Sequence, residues 1–251
     1  LRYRKSKNKK DELIFQLIFD KTPFYPEGGG QIGDSGVLNS DSKIKISDTI
    51  KENETIIHLT NSLPKNLKNN FNLSVDKNKR FSSSCNHTAT HLLHQALRSV
   101  LGDHVQQKGS MVSDKYLRFD FSHFSKLSEK ELEDVQMFVN KKIVDQLELE
   151  ENRNASYIDC VNSGVIALFG EKYSDTVRSI KFGDSYELCG GTHVKNTGEI
   201  RSFIITSESA ISTGIRRIEA ISGSIAVDYL IKQTNVLKEI SSKLLNDKDP
   251  I

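Results

Sequence analysis

The chain has 251 residues, and its 35 Lys and Arg against 33 Asp and Glu leave a formal charge of +2. A balance this even excludes a bulk polycation, so any contact with nucleic acid must come from local clusters. Three cysteines make no even disulfide framework, no signal-peptide pattern is present, and no run reaches the ~18 apolar residues of a membrane span; the expectation is a cytoplasmic setting without a membrane.

In chain order, residues 2–10 carry six basic groups and no acid, which predicts a solvated tail. Residues 13–19 are rich in β-formers and predict a strand. Next come Phe24, Tyr25 and Pro26, then Gly28, Gly29, Gly30 and Gln31. Three glycines in a row suit a loop whose backbone approaches a ligand or another segment closely. Short strands are expected near 43–48, 55–60 and 71–76, giving a small β-barrel or sandwich over residues 1–78. Lys77–Arg80 reads as its boundary.

A central helix is expected over 84–101, with Ala89, Leu93, Ala96, Leu97 and Val100 as an apolar stripe. His87, His91 and His94 fall together on the opposite face, with Thr90 beside them. Residues 106–110 read as a polar turn, 115–121 as a strand, and 128–151 as a long helix with a solvated acidic face. A short helix and further strands are expected from 166–173, 176–182, 202–208 and 215–222. A last helix spans 224–248, with Leu230, Leu237, Ile240 and Leu244 as a near-heptad stripe. The order of elements predicts an α+β fold with a mostly antiparallel sheet, a core over 79–223 and a C-terminal helix over 224–251 leading to a further domain.

The chemistry concentrates in two stretches. His87 and His91 sit one helical turn apart, a spacing that lets two imidazoles grip one metal ion. Cys189 and His193 add a thiolate and a third imidazole beside Gly190 and Gly191. The set suits zinc, one ion per chain, provided the fold joins positions 87–91 to 189–193. Thr88 stands where a His-Glu-x-x-His hydrolase would carry its glutamate, which argues against a peptidase.

These two motifs occur with Gln107-Lys108-Gly109-Ser110, Leu117 to Phe121 and Gly214 to Ala220. Together they resemble the editing domains of alanyl-tRNA synthetases, and Thr22 to Gly36 resembles the barrel that precedes that domain. The threonyl-tRNA synthetase editing domain shares a similar pair of metal motifs but lacks the loop from Phe24 to Gln31. The resemblance implies hydrolysis of seryl- and glycyl-tRNA(Ala), with the tRNA(Ala) acceptor end as partner and His87, His91, Cys189 and His193 as zinc ligands. It places Thr90 in the amino-acid pocket and Gln107 beside the ester or the attacking water. Gly28, Gly29, Gly30 and Gln31 would close over the site. Arg217 or Arg216 would hold the tRNA terminus, unless one of them pairs with Glu219. His94 is expected near the ligands without joining them. The start at Leu1 and the Gly-Gly-Gly-Gln loop suggest a segment of a synthetase that oligomerises through another domain. A free-standing editing protein and a non-catalytic, zinc-stabilised tRNA-binding module are the alternatives.

Overall fold

A computed structural model describes residues 1–7, 10–67, 70–167 and 173–243. The expectations at Lys9, across 168–172 and beyond 243, including Leu244, fall outside these residues.

Residues 2–7 do not form a loose tail. They are strand β1 (Arg2–Lys7), paired antiparallel with β2 (Leu13–Ile18). Then follow β3 (Gly36–Asn39), β4 (Lys43–Ile46), β5 (Asp48–Glu52), β6 (Thr55–Thr60) and β7 (Asn72–Val75). In β4 the alternation of Lys and Ile is a clean period of two: Ile44 and Ile46 are buried, Lys43 and Lys45 exposed. These strands make two antiparallel sheets, ordered β1-β2-β6-β5 and β4-β3-β7, and no closed barrel. Leu17, Phe24, Leu38, Ile44 and Ile46 form their common core.

Helix α1 (Lys77–Leu101) begins seven residues before the expected start, so Lys77–Arg80 is its first turn and not a link. Asp76 explains the difference: its carboxylate accepts from the Asn78 and Lys79 backbone N–H groups, both at 3.2 Å. Gly102, at φ 110°, ends the helix. Residues 107–112 are strand β8 (Gln107–Val112) where a turn was expected, followed by β9 (Leu117–Ser122). Helix α2 (Glu129–Val144) starts at a Ser128–Glu131 capping box and stops well before 151; Gln146 has positive φ, and the chain re-enters a sheet as β10 (Glu150–Ser156). Then come α3 (Tyr157–Asn162), β11 (Thr176–Phe182), β12 (Ser185–Leu188), a single 3-10 turn at Thr197–Ile200, β13 (Phe203–Ser212), β14 (Ile215–Ser222) and α4 (Gly223–Lys243).

The fold is α+β with antiparallel sheets throughout its named strands. The sheet β13-β14-β9-β8 and helices α1 and α2 enclose the main core, in which Leu92, Leu93 and Leu97 meet Phe119, Phe121, Val135, Val139 and Phe203. Sheet β10-β11-β12 flanks it. Most of α4 is exposed, including Leu230, Leu237 and Ile240. No helix among the described residues is long and apolar enough to cross a membrane.

The glycine loop and the start of α1 both join the N-terminal sheets to this core. Ile32 donates to the Val112 carbonyl at 3.0 Å and Val112 to the Gly30 carbonyl at 2.8 Å, so the glycine loop extends the free edge of β8. Gly30 is obligatory there: φ is 81°, and a Cβ would overlap Ser110. At the start of α1, the Arg80 guanidinium grips the buried Asp34 carboxylate and the Pro23 carbonyl.

Candidate metal centre

Helix α1 is buried on both sides through the histidine stretch. Its apolar side meets the main core, and its other side carries Ser84, Asn86, His87, Thr88, Thr90, His91 and His94 out of water. Buried polar groups need partners, and the turn after β12 supplies them. Arg178 on β11 shapes that turn by donating from Nη1 to the Cys189 and Gly191 carbonyls at 2.9 and 2.5 Å, while its Nε holds Glu151 at 2.6 Å. Gly191 must be glycine, because a Cβ would overlap the His87 ring.

The result joins the two stretches. One donor atom from each of His87, His91, Cys189 and His193 lies within 4.8 Å of every other. Cys189 Sγ is 3.3 Å from both His87 Nε2 and His193 Nε2. Donors placed ~2.0–2.3 Å from a tetrahedral zinc stand about 3.3–3.8 Å apart, so these separations fit such an ion.

Each imidazole also has one nitrogen engaged away from the cluster. His87 Nδ1 is 2.7 Å from Gln31 Oε1, His193 Nδ1 is 3.0 Å from Thr88 Oγ1, and His91 Nε2 is 3.7 Å from Glu187 Oε2. Gln31 Oε1 can only accept, so His87 carries its proton on Nδ1 and turns the Nε2 lone pair inward. His91 Nδ1 is buried with no hydrogen-bond partner among the described residues, as expected of a nitrogen that awaits a metal. Burial, then neighbouring His and Arg178 charge, pushes the pKa of His87 and His193 far below the usual range; burial also lowers that of His91, against the pull of Glu187. Neutral imidazole is the form that binds a metal.

Gln31 arrives from the N-terminal sheets. Besides His87 it takes the Thr192 backbone N–H at 2.9 Å and donates to the Thr192 hydroxyl at 3.0 Å, which Ser84 also reaches at 2.8 Å. Tyr25 steadies the loop by donating to the Gly28 carbonyl at 2.8 Å, and Gly29 and Gly30 both have positive φ.

The other expected site residues are distributed differently. Thr90 is buried, and its hydroxyl donates to the Asn86 carbonyl one turn back at 2.8 Å. Gln107 donates to Ser110 Oγ at 3.1 Å and lines a cavity with His94 and Arg98, not with the four-residue cluster. Arg217 is bound to Asp120 by two bonds of 2.6 and 2.7 Å, and Arg216 to Glu208 at 2.5 Å; the Glu219 carboxylate accepts from Ser207. The sequence reading did not find Arg178 or Glu187, nor the parts that Thr88 and Thr192 play in holding His193 and Gln31. Glu187 had a faint signal, a carboxylate two positions before the cysteine.

Comparison with known proteins matches residues 177–219 to the model of the threonyl and alanyl tRNA synthetase second additional domain. Residues 3–81 match the model of class II (A) tRNA synthetases. Over 252 residues the chain is 59% identical to the alanine–tRNA ligase of Christiangramia forsetii, covering 100% of this chain and 29% of that protein. The alanine–tRNA ligases of Flavobacterium psychrophilum and Cytophaga hutchinsonii are 52% and 49% identical, each over 99% of this chain and 29% of their own length. The chain thus spans under a third of the relatives it matches, and the resemblance to alanyl-tRNA synthetases extends along all of it.

Proposed function

We propose that this chain, similar throughout to a region of the alanine–tRNA ligases, is the part that removes wrongly attached serine or glycine from tRNA(Ala). The observation that carries the proposal is the convergence of His87, His91, Cys189 and His193, with their outer nitrogens already held. Editing answers a physical need. A pocket built for alanine cannot exclude glycine by size, and an added hydroxyl is often rejected by only ~10²-fold.

Three imidazoles and a thiolate are a donor set that suits zinc, and four protein donors make a closed site. When bound, zinc would position the aminoacyl end rather than generate hydroxide. The chain's own residues supply the rest. Gln31 closes the site from the N-terminal sheets. Thr90 spends its proton on Asn86 and keeps lone pairs that can accept from a seryl hydroxyl, which alanine lacks. Gln107 positions the ester or the attacking water. The ester is activated, so placing a water beside it suffices, without a covalent intermediate on Cys189. The partner is the acceptor end of tRNA(Ala).

The test is release of serine from seryl-tRNA(Ala) by zinc-loaded protein. Serine release well above background supports the proposal. No release, with metal bound and tRNA retained, would instead favour a zinc-stabilised tRNA-binding module, a reading that the closed donor set also suits. Trapping of an acyl group on Cys189 would replace the water mechanism.

A further inference from the structure

His94 continues the row of His87 and His91 along α1, ~4.5 Å beyond His91 on the helix axis. It is 2% exposed. Its Nδ1 lies 3.1 Å from Glu187 Oε1, while the other oxygen of Glu187 faces His91. Glu187 is therefore wedged between a metal-site imidazole and a second imidazole outside that site.

His94 Nε2 is buried and has no hydrogen-bond partner among the described residues. Its ring lines a cavity of about 350 Å³ together with Arg98, Gln107, Val105 and Ile166. That volume is at the lower end for small-ligand pockets, roughly 300–1,000 Å³. The Arg98 guanidinium is already committed to Asp103 and to the Val105 carbonyl, and the Gln107 amide to Ser110. An unmet buried nitrogen is costly, so one kept beside a cavity marks a place for a polar group from outside. With Nδ1 turned to Glu187, the ring turns Nε2 to the cavity.

We infer that His94 is a substrate-binding residue, whose Nε2 accepts a hydrogen bond from the ammonium or hydroxyl of an aminoacyl ester that reaches from the metal centre past Gln107 into this cavity. The inference rests on the proposed deacylation and adds a residue to it. Glu187 fixes the ring, so the pocket and the metal site share one carboxylate.

Two substitutions in the full zinc-loaded chain test it. His94→Asn keeps an amide nitrogen near the Nδ1 position for Glu187 but has no atom at Nε2; His94→Gln reaches the Nε2 position. Steady-state deacylation is measured on seryl- and glycyl-tRNA(Ala), beside zinc content and melting temperature. His94→Asn should raise KM about tenfold with zinc and melting unchanged, and His94→Gln should recover most of the loss. Equal loss on both esters identifies the ammonium as donor, and loss on the seryl ester alone identifies the hydroxyl; either supports the inference. An unchanged KM in His94→Asn, or a worse one in His94→Gln, overturns it. If the wild type does not deacylate at all, the proposed function fails. The inference is then read from calorimetric binding of the amide analogue 3′-serylamino-3′-deoxyadenosine. Weaker binding to His94→Asn than to wild type supports it, and equal binding overturns it.

Discussion

The N-terminal sheets and the α1 core solve opposite problems. The first region closes on a small apolar cluster around Leu17, Phe24 and Leu38, and sends one polar side chain, Gln31, out of it to the metal centre. The second buries a row of polar side chains along one helix and gives most of them a partner: His87 has Gln31, Thr88 has His193, His94 has Glu187, Asn86 has Ser113 and Ser222. Apolar packing is tolerant, since volume and pattern are enough. Polar satisfaction is not, since each unpaired group costs ~1–3 kcal/mol. The two regions should therefore fail differently.

The largest effect is expected at the turn. Cys189→Ala removes a donor, and Gly191→Ala drives a methyl group into the His87 ring. Either should abolish stoichiometric zinc in metal analysis and destabilise the core by ~3–5 kcal/mol, roughly 10 °C in a melting scan. Amide exchange in β2 and β6 should hardly change; equal loss in both regions would erase the distinction drawn above. Leu17→Ala is the converse. A fully buried leucine truncated to alanine costs ~2–5 kcal/mol, here in the N-terminal sheets, while competition with a chelator should give unaltered zinc affinity.

Gln31→Ala sits between the regions. It leaves the outer nitrogen of His87 and the Thr192 N–H without their acceptor, so it should weaken zinc binding ~10–100-fold and lower the melting temperature by a few degrees. Full affinity in this variant would mean that the two regions merely touch. Thr90→Val keeps the shape of the helix and removes the hydroxyl. It should narrow the preference for seryl over alanyl ester by about tenfold in deacylation assays, with zinc retained.

The smallest effect concerns pH. His58 is buried in the N-terminal sheets, bonded to Thr22 and to the Leu17 carbonyl; burial, only partly opposed by the latter, lowers its pKa. The unfolded chain takes up a proton near pH ~6.5 and the folded ring does not, so stability is complete above that value and falls as the pH drops towards the folded pKa. His58→Gln should flatten the slope of unfolding free energy between about pH 6.5 and 5 by up to ~1 kcal/mol.

Legibility in the sequence followed the same division. The donors at 87, 91, 189 and 193 could be read because their identities and spacing are intrinsic to the chain, and the structure brings those four together. Strands such as β11 and β14 could be read because their β-branched and aromatic runs are local. The roles of Glu187, Thr88 and Arg178 could not, since each acts on a partner at least 11 positions away. The expected barrel failed because local strand signals do not say which edges pair, and the strands settle into two sheets. The helix start was missed because Asp76 caps across a basic stretch that looked like a break. Residues 2–7 are solvated as expected but ordered, because β2 offered an edge for them to pair with.

The bond between Gln31 and Thr192 spans 161 positions. Contacts so distant along the chain form late, after the entropy of a long closed loop has been met. During synthesis the glycine loop emerges long before the cysteine turn, so the cluster reaches full order only once both have left the ribosome. Newly made protein should therefore take up its ion as one of the last events of maturation, and premature termination anywhere before position 189 should leave chains that cannot retain it.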